Sequence, residues 1–269
     1  MYYNLISSMS KSISDAQKFI NATGITDSTQ KSAINTLVDD LKGYGIWTKM
    51  KAIYPMVSDA STSALRAEQH KYNLKDPRDL DAAFRLQFFG GWTHSATGAL
   101  PNGSSYADTF LNALSSLTNN NYHLSHYSRT QKTTGGEVDM GTGDGTVKMI
   151  AIDQYYAGAG KAFVCGDYIS SVIINADTNT LGMVVGSRTS QTSAKLFMNA
   201  VQKGSTLTLS NPNIQPNNKF YLGANNTTPI EYSNKQCAFS SIGDGLTDTE
   251  VSNFYTAVQA FNTTLSRQV

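Results

Sequence analysis

The sequence predicts a mainly β protein, in which an antiparallel β-sandwich follows a helical leader and ends in a C-terminal helix. From about residue 70, short runs of alternating apolar and polar residues are separated by polar turns. Helical periodicity is confined to the two ends of the chain. Charged residues make up only 15% of the 269 residues, and Ser, Thr, Asn and Gln supply the remaining polarity, which suits strand edges and turns.

The alternating runs define the predicted strands. Further strand-like runs follow them along the chain. Together they lie at residues 84–88, 123–127, 147–152, 170–175, 181–185, 195–198, 205–209, 219–222 and 238–242. Turn signals such as Asn102-Gly103 lie between them. Many short strands joined in this way favour an antiparallel sandwich over a parallel α/β sheet.

A helix is predicted at residues 27–42, where Thr26 can cap the first turn. A shorter helical stretch is predicted at about 12–21. The apolar face of the longer helix carries Ile34, Leu37, Val38 and Leu41. One short amphipathic helix is not stable alone. We therefore interpret residues 1–60 as a helical leader or docking segment, which either covers the sandwich or contacts another subunit, and residues 61–269 as the sandwich.

The C-terminal helix has a complete start signal. Thr247 and Glu250 have the spacing of a capping box, in which each side chain bonds to the backbone of the other residue. A stripe of apolar residues follows at helical spacing. Its members are Val251, Phe254, Val258, Phe261 and Leu265.

Charge and hydropathy exclude several partners. The net charge is +1 and basic residues are scattered, so a nucleic-acid partner is not expected. No run of eighteen apolar residues is present, so we expect no membrane partner. The N-terminus lacks a secretory signal, so we expect the protein to be made in a cytoplasm. Cys165 and Cys237 fall in apolar runs and are expected to be buried thiols, with a disulfide as the alternative.

Three stretches in the second half of the chain carry a family resemblance. Residues 193–201 (SAKLFMNAV), 220–224 (FYLGA) and 239–250 (FSSIGDGLTDTE) follow in that order. They resemble a hairpin, the next strand and the closing strand with its helix start in laminin-G-like, concanavalin-A-like lectin domains. The resemblance implies a concanavalin-like jelly roll. Ala200 replaces the hairpin glycine of that family, which predicts a different turn, because alanine tolerates positive φ poorly.

A longer likeness covers almost the whole chain. It is carried by residues 19–27 (FINATGITD), 46–55 (IWTKMKAIYP), 73–86 (NLKDPRDLDAAFRL) and 91–94 (GWTH). These stretches resemble structural proteins of tailed-phage virions. The resemblance implies a virion subunit in the capsid decoration, fibre or tail, made in the bacterial host cytoplasm. It also implies other virion subunits as partners and a homo-oligomer in the particle. Adhesion to host-surface glycans is the natural secondary role of the exposed face, and a purely architectural clamp without a ligand is the alternative.

Five residues are candidates for glycan binding, because aromatic rings can stack on the apolar face of a sugar. They lie in or beside polar loops and are Trp92, His94, Tyr106, Tyr155 and Tyr156. The alternative is that most of these rings fill the core or a subunit interface. The four histidines, His70, His94, His123 and His126, are expected to be surface or structural residues. His123 and His126 should point to opposite faces of one strand.

The alternative function is a polysaccharide depolymerase or glycoside hydrolase on the same fold. Glu137 and Asp139 begin the Glu-x-Asp-x-x-Glu pattern of concanavalin-like glucanases, but Thr142 occupies the position of the second Glu. The neighbouring glycines predict a solvated loop, so we expect no enzyme. No cofactor is expected either, although Asp139 and Asp144 lie in an oxygen-rich loop that could hold calcium.

Overall fold

Two β-sheets packed face to face form the protein, and helices cover the outer face of one of them. The computed structural model describes residues 13–132, 137–156, 158, 160–209, 215–227 and 230–269. The prediction of a mainly β, antiparallel sandwich with a C-terminal helix is confirmed. Residues 1–12 of the predicted leader lie outside the described residues.

The first sheet contains eight strands, all paired antiparallel. In spatial order they are β13 (Val201–Leu207), β12 (Ser193–Met198), β11 (Gly182–Ser190), β6 (Tyr122–Ser128), β16 (Cys237–Gly243), β4 (Gly98–Pro101) and β3 (Trp92–Ser95). β1 (Met50–Tyr54) also pairs with β16. The closing strand β16 therefore lies in the interior of this sheet, where it pairs with β6, β4 and β1.

The second sheet also contains eight strands. In spatial order they are β10 (Val172–Asn175), β9 (Lys161–Asp167), β8 (Lys148–Asp153), β7 (Met140–Gly143), β14 (Lys219–Leu222), β5 (Tyr106–Asn112) and β2 (Gln87–Phe89). The short β15 (Asn225–Asn226) runs parallel to β7. Strand alternation divides the side chains of this sheet between the sandwich core and an outer face.

Five helices complete the described chain. They are α1 (Asp15–Thr23), α2 (Ser28–Gly43), α3 (Ser63–His70), α4 (Ala113–Ser116) and α5 (Asp248–Thr264). The helix α3, which contacts β3, was not predicted. None of the helices in the described residues is both long and apolar enough to cross a membrane.

The helices α1, α2 and α5 pack on the outer face of the first sheet. Ile34 and Leu37 of α2 share one buried cluster with Phe254 of α5 and with Tyr127 and Phe239 of the sheet. The leader therefore covers the sandwich's own face, which is the first of the two predicted alternatives. The division at residue 60 stays an interpretation, since residues on both sides of it belong to this cluster.

Side-chain caps begin both long helices. α5 has the predicted capping box between Thr247 and Glu250. In α2 the cap is Asp27, whose carboxylate accepts from the backbone N–H of Gln30, and the prediction of Thr26 was wrong by one residue. Thr26 instead donates its backbone N–H and hydroxyl to Asp59, because that carboxylate is brought there from further along the chain.

The hairpin between β12 and β13 corrects a further prediction. Asn199 and Ala200 have φ values of 50° and 65°, so both adopt the left-handed conformation of a tight two-residue turn. The replacement of glycine by Ala200 has not changed the turn. The strand pairing on both sides imposes this conformation on Ala200, which carries the steric cost of its Cβ.

Buried polar side chains secure the C-terminus and the strands. The Arg267 guanidinium is fully buried and donates to the carbonyl oxygens of Pro55, Met56 and Ala238. Cys165 and Cys237 are buried free thiols, so the expectation of buried thiols is confirmed over the alternative of a disulfide. Burial raises the pKa of Cys165 to about 12. Both residues therefore act as small apolar side chains in the sandwich.

All four histidines are buried, so they are structural rather than surface residues. His123 and His126 point to opposite faces of β6, as predicted. The His123 ring lies 5.9 Å from the ring of Phe254 in α5. His126 faces the other way, between the two sheets, where neither of its ring nitrogens has a hydrogen-bond partner among the described residues.

Candidate functional site

A groove lies on the outer face of the second sheet. Met149, Val164 and Val172, from three adjacent strands, line it. Successive side chains of a strand point to opposite faces of the sheet, and the neighbours Ile150, Phe163 and Ile173 point into the sandwich core. Met149, Val164 and Val172 therefore point away from it. The groove has a volume of about 330 Å³, which is within the range of small-molecule sites. Its sheet-formed surface is therefore apolar and open to solvent.

Aromatic and polar side chains complete the groove. Tyr156 and Tyr168 line it and are 37% and 50% exposed, so parts of their rings are available to a ligand. Thr146 and Thr227 bring hydroxyl groups, and Glu231 brings a carboxylate. The turn after β9 positions Tyr168, whose backbone N–H donates to the carbonyl oxygen of Val147. An apolar surface with tyrosines and a few polar groups suits a sugar ring.

A row of stacked aromatic rings lies elsewhere on the same sheet. Tyr106 stacks between Tyr221 and Phe89, with ring centroids 4.2 Å and 4.9 Å away and interplanar angles of 20° on both sides. The three residues come from adjacent strands in the order β14, β5 and β2. Because neighbours occupy both faces of Tyr106, its ring offers only an edge to a ligand.

The remaining predicted glycan-binding residues lie apart from the groove, except Tyr156. Trp92 is half-buried, and its indole N–H donates to the carbonyl oxygen of Tyr106. His94 is buried, and its Nδ1 lies 3.0 Å from Nδ1 of His70. Tyr155 is buried beside Glu137, with which it forms an isolated β-bridge. The structure therefore places only Tyr156 of the five residues in the groove.

Sequence reasoning missed most of the residues that line the groove. Tyr168 carried a signal in the sequence, because Gly166 and Asp167 directly before it are residue types that indicate a turn. No such signal marked Met149 and Val172, because the sequence does not show whether an apolar strand residue faces the core or the outer surface. Glu231 and Thr227 come from a segment whose position only the folded chain defines.

Glu137 and Asp139 belong to a buried ionic cluster, which corrects the prediction of a solvated acidic loop. The Asp139 carboxylate lies 3.0 Å from the Lys235 ammonium, and both side chains are 0% exposed. Asp153 and Glu137 lie 3.7 Å and 3.8 Å from the same ammonium. Lys132 pairs with Glu137. The folded chain brings Lys235, shortly before β16, beside Asp139, directly before β7, and local sequence could not show this contact.

Burial and charge shift the pKa values of this cluster in different directions. Burial raises the pKa of Asp153 well above its ordinary value, against the lowering effect of Lys235. Burial also acts to raise the pKa of Asp139, but the Lys235 ammonium and the hydrogen bonds from Gln154 and Ser233 lower it overall. Burial therefore favours the neutral form of Asp153, whereas Asp139 is held as a carboxylate against the Lys235 ammonium.

The candidate calcium ligands do not come together. Asp139 pairs with Lys235, whose ammonium group takes the place of a cation. Asp144 accepts from Thr146 across a tight turn, and it is exposed. Among the described residues, no group of three or more His, Cys, Asp or Glu side chains is arranged to hold a metal ion. The predicted loop glycines at positions 135 and 136 lie outside the described residues.

Comparisons with known proteins relate the chain to others by fold. No protein-family model matches the sequence, and no curated protein matches it. Domain 4 of AbnA, an extracellular arabinanase from Geobacillus stearothermophilus solved with arabinotriose, aligns with a TM-score of 0.56 at 14% identity. The alignment covers 77% of this chain and 98% of that domain.

A second solved structure shares the fold over part of its length. Trypanosoma rangeli sialidase, in complex with the inhibitor DANA, aligns with a TM-score of 0.54 at 10% identity. The alignment covers 84% of this chain but only 38% of the sialidase, so this chain corresponds to one part of that protein. At these identities the likeness is one of fold. The chain therefore shares the β-sandwich fold of these two proteins.

Proposed function

We propose that the chain is a lectin-like domain that binds glycans in the groove of the second sheet. The observation that carries the proposal is the pair of partly exposed tyrosines, Tyr156 and Tyr168, beside an apolar strip of strand residues. A pyranose or furanose ring has an apolar C–H face that can lie on such a surface. Its hydroxyl groups can hydrogen-bond to polar side chains that line the same groove, namely Thr146, Thr227 and Glu231.

The shared fold supports this proposal. The arabinanase domain was solved with an arabinose trisaccharide, and the alignment covers nearly all of that domain. The groove of this chain has room for one or two sugar rings at its volume of about 330 Å³. We expect one copy of the protein to bind a glycan weakly. Many copies on one surface would multiply it through effective concentration.

The acidic side chains near the groove support binding without hydrolysis. A glycoside hydrolase commonly uses two carboxyl groups on either side of the scissile bond. Of the described residues that line the groove, Glu231 is the only acid. The pair Glu137 and Asp139 is buried with Lys235 instead. We therefore propose a binding domain rather than a depolymerase.

We further propose, from the sequence likeness to tailed-phage virion proteins, that the glycan-binding domain belongs to a phage particle. Repeated copies in a capsid, fibre or tail would supply the multivalency that a weak site needs. Mass spectrometry of purified virions carrying the gene should then detect the protein. Its absence from virions of a phage that expresses it would contradict this role.

The experiment that tests glycan binding compares matched variants of one exposed residue type. The wild-type chain, Tyr156→Ala, Tyr168→Ala and Tyr44→Ala are each coupled to a multivalent carrier and applied to an array of bacterial polysaccharides. Tyr44 is the control because it is 39% exposed but lies at the end of α2, in the helical layer. We expect the two groove variants to lose at least most of the signal and the control to keep it.

Three outcomes would contradict the proposal. An equal loss of array signal in all three variants would mean that the groove is not the binding site. The absence of any signal from the wild-type chain would contradict glycan binding itself. Hydrolysis of an array polysaccharide that Glu231→Gln abolishes would favour the depolymerase instead. Release of reducing ends from the same polysaccharides measures that alternative directly.

A further inference from the structure

The pair formed by Lys235 and Asp139 is unusual in its burial and in its position. The Lys235 Nζ and the Asp139 Oδ1 are 3.0 Å apart, and both side chains are completely shielded from solvent. Asp139 directly precedes β7 of the second sheet, whereas Lys235 lies shortly before β16 of the first. The pair therefore joins the two sheets across the end of the sandwich.

Neighbouring groups hold the Asp139 carboxyl in one orientation. The backbone N–H of Gln154 donates to Oδ2 at 2.8 Å. The Ser233 hydroxyl donates to Oδ1 at 2.8 Å, beside the Lys235 ammonium. The carboxyl group thus has one oxygen fixed by a backbone donor and the other placed against the amine. A donor that stays on one oxygen can stabilise negative charge developing there.

A second buried acid lies beside the same amine. Asp153 Oδ1 is 3.7 Å from Lys235 Nζ, and Asp153 Oδ2 has no hydrogen-bond partner among the described residues. Burial keeps this carboxyl in its neutral, protonated form more readily than Asp139. The cluster therefore contains an amine, a carboxyl group held against it, and an acid within reach to move a proton.

We propose that Lys235 and Asp139 join in an intramolecular isopeptide bond, with Asp153 as the residue that transfers the proton. The bond is a covalent link between the sheets that closes the chain from residue 139 to residue 235. This modification is independent of the groove and of its ligand.

The reaction balances as the loss of one water molecule from the ion pair. One proton passes from the Lys235 ammonium to Asp139 Oδ1, which leaves a neutral amine beside a neutral carboxylic acid. The amine nitrogen then forms a bond with Asp139 Cγ, while the Gln154 N–H stabilises the charge on Oδ2. Asp153, which is protonated, donates its proton to the Oδ1 hydroxyl while its other oxygen accepts a proton from the nitrogen, so that Asp153 ends the step protonated again. The Cγ–Oδ1 bond breaks, and water and a neutral amide remain.

Burial favours this product in two ways. Two buried charges carry a desolvation cost even when they are paired, and the amide carries no charge. The two reacting groups are also held together by the fold, which replaces a bimolecular encounter with an intramolecular one. The released water leaves a site whose side chains are shielded from solvent, so the reverse hydrolysis is disfavoured.

Mass spectrometry of the wild-type protein, without any substitution, tests the proposal. We expect an intact mass that is lower than the sequence mass by one water molecule. Trypsin should release one branched species, in which residues 133–148 are joined to residues 220–267, because a lysine in an amide is not cleaved. Without the bond, the digest contains residues 220–235 and 236–267 as separate peptides.

Variants identify the groups involved. Asp139→Ala and Lys235→Met should both have their full sequence mass, and Asp153→Asn should form the bond much more slowly after synthesis. Lys161→Met is the matched control, because Lys161 is another fully buried lysine with a nearby carboxylate, Asp177 at 3.6 Å. This control variant should keep the loss of water.

The wild-type measurement alone can overturn the proposal, whether or not the variants fold. A wild-type protein at its full sequence mass contradicts it. A loss of water confined to the single peptide 133–148 indicates a succinimide at Asp139 or at Asp144, which precedes Gly145, and also contradicts it. Complete cleavage after Lys235 by trypsin has the same meaning.

Discussion

Replacing His126 with leucine is expected to remove part of the protein's sensitivity to acid. Burial lowers the pKa of His126 to about 4, with Asp139 acting to raise it and Lys235 to lower it further. In the unfolded chain the pKa returns to about 6.5. Between these values the unfolded state binds more protons than the folded state. Stability contributed by the neutral histidine is therefore present at high pH and is lost as the pH falls through this window.

The size of the effect follows from the two pKa values. At pH 7 the histidine is mostly neutral in both states, so the contribution is small. At pH 5 it is protonated in the unfolded chain but remains mostly neutral in the folded one. Moving from pH 7 to pH 5 should therefore cost about 2 kcal/mol of unfolding free energy through this single residue.

Urea unfolding, followed by tryptophan fluorescence at pH 7 and pH 5, measures this difference. The His126→Leu variant should lose about 2 kcal/mol less than the wild-type protein between the two pH values. The other three histidines remain in both proteins, so their contributions cancel in the comparison. Equal losses in the two proteins would refute the argument, because His126 would then not be neutral in the folded state.

Three further predictions concern stability. Ala200→Gly should raise the free energy of unfolding by about 1 kcal/mol, since it relieves a positive φ of 65° in the β12–β13 hairpin; a lower melting temperature would contradict this. Phe254→Ala should cost about 3–5 kcal/mol, because its fully buried ring joins α5 to the first sheet; an unchanged thermal midpoint would contradict the docking. Deletion of residues 1–45 should give an insoluble product, since it uncovers the apolar faces of the first sheet and α5. A soluble, folded product in a sedimentation assay would show instead that the leader is dispensable.

Local features of the sequence were sufficient for the helices at the ends of the chain and for most strands. α5 was predicted with its capping box because the cap and its partner are three residues apart, so the signal is entirely local. β6 was predicted, together with the opposite directions of His123 and His126, because strand alternation is also local. The hairpin at Ala200 shows the limit of this reasoning, since pairing of the flanking strands overrode the preference of one residue.

The buried cluster and the groove were decided by the tertiary structure. Asp139 and Lys235 are far apart in the sequence and meet only because β7 and β16 belong to opposing sheets. The glycines beside Glu137 and Asp139 indicated a solvated loop, and no residue nearby in the sequence indicated that a lysine would be buried against them. The groove depends on which face of the second sheet its strands present, and the helices α1, α2 and α5 pack on the outer face of the first sheet instead. The sequence by itself determined the mainly β sandwich and its helical ends, because periodicity and caps act over a few residues. Which side chains meet at a site depends on contacts across the sandwich, and only the folded chain brings those together.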